Sequence, residues 1–276
     1  MTFGSVVQAG DVRNKIDTEH LFGFVTGTDI GEVGDREIEI ETSGRLRKRT
    51  GSYNALSQAF ALEYTPVENF RLELAAAGAY YGISGVTGLD DLRRLGFQGV
   101  SLEMRYRLLD RQRSGLGLTL LAAPHWGRID EISGQKVNQY GAGFAVLIDK
   151  ELVRDRVVAA FNLLYEPEVT RSRVTGTWSQ EATLGLAGAL MAQLQSGVFL
   201  GGEARYLRAY ESLGFDRFAG DALFLGPTTF YRLSERWRMT ASWSTQIAGK
   251  AVGDPGYLDL ANFSRHQFRL RVGYQF

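Results

Sequence analysis

Near the end of this 276-residue chain, Asn262, Ser264 and His266 are of types that can make a nucleophile. If that stretch is a strand, a spacing of two puts all three on one face, the outer one by register. A serine beside a histidine base, with an asparagine to orient the ring, is how a hydroxyl is activated. Same-face neighbours on one strand seldom reach that geometry unaided, so a polar strand end is the competing reading. The three histidines are His20, His125 and His266, too few and too scattered for a metal cluster. The absence of cysteine removes disulfides, thiolate metal sites, iron–sulfur clusters and cysteine nucleophiles. No phosphate-loop spacing occurs, and no cofactor is expected.

A second group of candidates is ionic. Glu37, Glu39, Glu41, Glu63, Arg71, Glu73, Glu103, Arg105, Arg107, Arg236, Arg238, Arg269 and Arg271 alternate with apolar neighbours. Collected on one surface, they could crosslink one another or form a charged constriction for a solute. Farther along, Glu203 and Arg205 would add polar contacts at mid-height. The chain as a whole is neutral, with 31 Lys and Arg against 31 Asp and Glu. That balance argues against a nucleic-acid partner held by bulk charge.

What would position these residues is a chain-wide period of two. From Phe268 to Phe276, Phe268, Leu270, Val272, Tyr274 and Phe276 share one face, and Arg269 and Arg271 lie opposite. Asp35 to Lys48, Phe70 to Tyr80, Phe97 to Leu109 and Arg236 to Ser244 alternate in the same way. Such alternation specifies strands with one apolar and one polar face. A soluble sandwich would satisfy it too. The aromatics decide between the two: Tyr64, Phe70, Tyr106, Trp237, Tyr274 and Phe276 fall on apolar faces near strand ends, as membrane interfaces select.

The connections mostly alternate between tight links, such as Gln195 to Gly197, and long loops, such as Gly82 to Phe97 and Gly249 to Phe263, with the short Arg49 to Ser52 loop as the exception. Asp90 to Leu95 is read as one helical turn in the first long loop. Counting from Asp35 gives about twelve strands. The expected fold is therefore all-β, an antiparallel transmembrane β-barrel of about 12 strands, within 10 to 14.

The ending Val272-Gly273-Tyr274-Gln275-Phe276 resembles the C-terminal targeting signal of bacterial outer-membrane β-barrel proteins, with Tyr274 and Phe276 as its marks. The resemblance implies the bacterial outer membrane, insertion by the barrel-assembly machinery, and contact with outer-membrane lipid and lipopolysaccharide. In outline, Ser264 and His266 also resemble the lipid-facing pair of outer-membrane phospholipases. Their order is reversed, however, and no second motif of that family is present.

Residues 35–276 are thus assigned to the barrel, and 1–34, which break the alternation, to a periplasmic extension or plug. Within the latter, Asp17 to Gly34 is acidic and glycine-rich, around the apolar cluster Leu21, Phe22, Phe24 and Val25. Residues 1–9, with Val7 and Ala9 at signal-peptidase positions, read as an export-signal stub or added sequence. Inside the barrel, the ionic set would lie toward the periplasmic end. Beyond it, small residues such as Ser57, Ala59, Ala75, Ala77, Gly141, Gly143 and Ser242 would leave a vestibule open to the outside. The function expected is a porin-like channel or uptake barrel for a small polar solute, with an ionic constriction near the periplasmic end. The alternatives are a lipid hydrolase using Ser264, His266 and Asn262, and a structural or adhesive barrel.

Overall fold

The computed structural model describes residues 16–276. The stub expected at 1–9 lies outside the described residues. Twelve antiparallel strands follow in sequence: β1 (Arg36–Leu46), β2 (Ser52–Val67), β3 (Phe70–Ser84), β4 (Leu92–Leu109), β5 (Gly117–Ile129) and β6 (Lys136–Val153), then β7 (Val157–Ser172), β8 (Trp178–Gln195), β9 (Val198–Tyr210), β10 (Phe218–Arg232), β11 (Trp237–Ala251) and β12 (His266–Gln275). Each pairs with the next, and β12 pairs back with β1 from Glu37↔Gln275 to Leu46↔His266, closing the barrel.

Closure explains the alternation. Every ladder is satisfied around the ring, so side chains have two destinations, lumen or surroundings. Ile38, Phe60, Leu62, Leu74, Leu120, Phe144, Leu163, Leu190, Leu225 and Leu270 point outward and stay exposed. A closed sheet wearing such a belt is built to stand in lipid rather than water. At the short-turn end, Trp237 packs on Tyr274 with ring centres 4.9 Å apart, and Tyr274 stacks on Phe276. The turns there include Asn69 and Asp155 with positive φ, a conformation these residue types tolerate.

Several expected boundaries move. The long loops shrink to 85–91, 130–135, 173–177 and 211–217, because the strands continue past the apolar belt. Beyond the belt both faces meet water, so the pairing persists while the alternation that marked it in sequence fades. Asp90 to Leu95 is not a helical turn: β4 begins at Leu92, and a register shift opposite Ala77/Gly78 turns Arg94 and Gly96 inward. The short helix α1 (Arg111–Ser114) lies instead in the β4–β5 turn, capped by Asp110. Arg236, expected in the lumen, precedes β11 and is exposed, its guanidinium donating to the Tyr274 hydroxyl at 3.3 Å.

At the β1–β12 seam, Gly44 faces Phe268 across the ladder, and the Phe268 ring lies where a Cβ on Gly44 would stand. The ring covers a stretch of backbone that glycine leaves bare. Gly44→Val should therefore displace the ring and destabilise the closed barrel by about 1–3 kcal/mol. Thermal unfolding in detergent, followed by the gel mobility of the folded form, measures this.

Candidate functional site

The lumen is occupied by the chain itself. Residues 16–30 enter at the short-turn end, rise to Phe24 and descend again to Ile30, close to the start of β1. Leu21, Phe22, Val25 and Ile30 are at most 1% exposed. Ile16, Leu21, Phe22 and Val25 pack on inward side chains of β7 to β10: Val158, Ala187, Met191, Phe199 and Phe230. These large inward apolar residues answer the apolar cluster of the N-terminal segment. Polar groups of the wall answer its backbone.

Glu203 of β9 makes the most concentrated of those contacts. Its carboxylate accepts from the backbone N–H groups of Gly23 (2.5 Å), Phe24 (2.7 Å) and Val25 (2.9 Å), and from the Thr228 hydroxyl (2.7 Å). Gly23 is required by close approach, since a Cβ there would run into Ser242. Asn162 of β7 exchanges two hydrogen bonds with Thr26, and Asp149 of β6 accepts from the Thr28 amide at 2.8 Å and the Thr18 hydroxyl at 2.6 Å. From the other side, Arg269 donates to the Gly23 carbonyl at 3.1 Å, Arg271 to that of Phe22, and Thr240 to that of His20.

Phe24 forms the tip, with the Arg205 guanidinium 3.8 Å from its ring centre and that of Arg269 at 5.4 Å. A cation over an aromatic ring is a favourable contact in a desolvated site. At the neck, Arg111 turns inward from α1 to bind the Ile16 carbonyl (2.6 Å), Asp29 (2.8 Å) and Asp149 (3.1 Å). Burial pushes the Asp29 carboxyl up to about 6, against the opposing pull of Arg111.

The ionic residues gather on the β1 to β4 wall beside this segment. Arg71 is 2% exposed and bridges Glu63 (2.9 Å), Glu73 (2.7 Å) and Glu19 of the inserted segment, with Glu103 at 3.9 Å. Arg105 holds Glu103, Arg238 holds Glu37, and Arg269 holds Glu41 at 3.3 Å. Arg107 stands lower, donating to the Asn69 side chain in the β2–β3 turn. Glu39 reaches His20 Nδ1 at 3.1 Å. His20 is therefore not isolated: it stands among the carboxylates of Glu19, Glu37, Glu39 and Glu63. Scatter of histidines along the sequence concealed this, because three of its four neighbours are glutamates of β1 and β2.

The space beyond Phe24 is not lined by small residues alone. Tyr53, Tyr81, Ile83 and Ile129 turn inward and pack with Val86 of the β3–β4 loop. The β11–β12 loop folds over the mouth, with Asp259 fully buried and Gln246 donating to its carbonyl at 3.0 Å. Lys48 secures this loop by donating to the Ala261 and Phe263 carbonyls, both at 2.9 Å, and burial draws its amine down to about 8. His125 faces the lumen, 3.4 Å from Glu168.

Asn262, Ser264 and His266 do not assemble. β12 begins at His266, so the first two lie in the loop rather than on a strand face. The Asn262 amide bonds Asp259 and the Ala219 carbonyl, and the buried Ser264 hydroxyl donates to the His266 carbonyl. The His266 ring meets Thr245 instead, at 3.0 Å. The expected common face fails because an inward-folded loop has no period of two.

Sequence reasoning named Glu203 and Arg205 as mid-lumen contacts and Arg269 and Arg271 as constriction residues, none of them as a partner of the N-terminal segment, and did not name Arg111, Asp149 or Asn162 at all. A signal for two of them was available: Asp149 and Asn162 are polar residues at inward positions within the apolar stretches of β6 and β7. Arg111 gave none, since its direction depends on α1.

With this geometry in view, the comparisons are informative. Residues 14–276 match the model of a family of unknown function, DUF6662. The chain belongs to that family. No curated protein matches it significantly. Among solved structures it is similar to the COG4313 outer membrane channel from Pseudomonas putida F1, at TM-score 0.63 and 10% identity over 90% of this chain and 98% of that one. It is also similar to the NanC porin, at TM-score 0.52 and 11% identity over 87% and 100%. A third is the translocator domain of the autotransporter NalP from Neisseria meningitidis, at TM-score 0.52 and 16% identity over 90% and 91%. These neighbours are bacterial outer-membrane β-barrels, and at such identities the shared property is the fold.

Glu203→Ala leaves three buried N–H groups without an acceptor and should weaken seating of the segment by about 2–4 kcal/mol. Hydrogen exchange checks it: the amides of residues 23–25 should lose roughly one and a half to three orders of magnitude of protection while the strands keep theirs.

Proposed function

We propose that this family member is an outer-membrane channel or uptake barrel for small polar solutes, with passage controlled by its own N-terminal segment. The observation that carries the reading is the way residues 16–30 are held. Wall side chains grip the segment's backbone amides and carbonyls through Glu203, Asn162, Asp149, Arg269 and Arg271. Such contacts can be exchanged for water one by one, while the apolar contacts of Leu21, Phe22 and Val25 must be given up together. Behind the segment stands a wall of charged groups, which suits a polar path rather than an inert filling.

With the segment seated, the periplasmic half of the lumen is filled. Transport then requires the segment to shift, and the ionic residues of β1 to β4 with Arg269 and Arg271 become the lining of a constriction. Support for a channel rather than a scaffold also comes from the structural neighbours that are a channel and a porin. The outer-membrane setting follows from the closed barrel and its outward apolar belt, with the short-turn end toward the periplasm. Tyr274 and Phe276 would then serve the assembly machinery, and the belt would meet lipid and lipopolysaccharide.

Planar-bilayer recordings test this. Wild-type protein should be mostly closed, and Glu203→Ala should increase the open time and the conductance. Adding Arg269→Gln to that open form should shift its reversal potential toward cations, as one lining positive charge is removed. Failure of both the wild type and the Glu203→Ala barrel to conduct would refute the channel reading.

A further inference from the structure

Around His20 the charges do not balance as an ordinary ion-pair network would. Four carboxylates approach the imidazole: Glu39 at 3.1 Å on Nδ1, and Glu37, Glu19 and Glu63 at 3.4, 3.7 and 3.8 Å on Nε2. Two guanidiniums pair with three of the four: Arg71 with Glu19 and Glu63, and Arg238 with Glu37. His20 is 4% exposed, and its Nε2 makes no hydrogen bond. With Nδ1–H donating to Glu39, Nε2 is left unprotonated among oxygen atoms that are themselves acceptors. Such a cage is stable around a cation.

The spacing suits one. Metal–nitrogen and metal–oxygen bonds of zinc-like ions imply tetrahedral edges of about 3.4 Å. The ligand atoms of Glu19, His20 and Glu63 all lie within 4.8 Å of one another, and Glu37 is within reach of the same ring nitrogen. Glu19 divides its oxygens, Oε1 to Arg71 and Oε2 toward His20. Glu63 and Glu37 instead face His20 with the Oε2 atoms that Arg71 and Arg238 hold, so an ion there shares those oxygens with the guanidiniums or displaces them. The Glu39–imidazole bond fixes the tautomer that leaves Nε2 free to ligate, as second-shell carboxylates do in metal sites.

We propose that His20 Nε2 and the carboxylates of Glu19 and Glu63, with Glu37 in reach, bind a divalent first-row transition metal. The N/O donor set fits zinc or its neighbours in the series and disfavours soft monovalent copper. Because Glu19 and His20 belong to the inserted segment and Glu63 to β2, the ion clips that segment to the wall. The ion also adds positive charge to a cage in which four carboxylates share two guanidiniums. The geometry and its test are independent of conduction.

The full chain is folded into detergent with zinc sulfate or with chelator, passed through gel filtration in metal-free buffer, and assayed for bound zinc. We expect one zinc per folded chain in the wild type. Glu63→Gln and His20→Gln should lose it, Glu39→Gln should weaken it about tenfold, and His125→Gln, far up the lumen, should retain it. X-ray absorption on the zinc form should show nitrogen and oxygen neighbours with imidazole scattering. Hydrogen exchange on Glu63→Gln reports separately whether residues 23–25 remain seated. Folded wild type that retains no zinc would overturn the site, with Nε2 then carrying a proton. So would Glu63→Gln and His20→Gln proteins that retain as much zinc as wild type, or a zinc shell without imidazole.

Discussion

Everything in this structure depends on the pairing of β1 with β12. A sheet standing in hydrocarbon cannot leave a row of N–H and C=O groups unpaired, and the β1–β12 ladder removes the last edge. Once the ring is closed, the parity of each residue is fixed, and parity sends glutamates and arginines into the lumen and leucines into lipid. Phe268 over Gly44 is a local sign of how tightly that seam is made.

Closure also creates the problem that the N-terminal segment solves. A lumen lined on one side by Glu37, Glu39, Glu63 and Arg71, and on the other by Met191, Phe199 and Phe230, is matched by neither water nor a uniform apolar filling. Residues 16–30 match both sides, presenting Leu21, Phe22 and Val25 to β7–β10 and Glu19 and His20 to β1–β3. The apolar half supplies burial, and the polar half supplies direction. Glu203 then sets the height of insertion, because three consecutive amides converge on one carboxylate.

The same division explains how the proposed channel and the proposed metal site share one element. Hydrogen bonds from the wall to the segment's backbone are individually weak and exchangeable, which suits displacement. A metal bound between His20 and Glu63 would add a single strong, chemically addressable tie between the same two bodies. Control of such a barrel would rest on few groups, although the contact between segment and wall is extensive.

The sequence by itself determined the strands, their number and their two faces. Alternation such as Phe268 to Phe276 is a direct imprint of closure, and a strand cannot reverse it without exposing Arg269 and Arg271 to lipid. It also marked most of the ionic residues, since a charge at an inward position stands out against apolar neighbours. Only the tertiary structure decided where segments without a period lie. Residues 16–34 and the β11–β12 loop carry no repeat to fix their faces, so their placement follows from long-range partners such as Glu203, Asn162 and Lys48. For that reason the triad suggested by Asn262, Ser264 and His266 dissolved, and the cage around His20 came into view: one was read from local spacing, and the other is assembled from β1, β2 and a segment threaded between them.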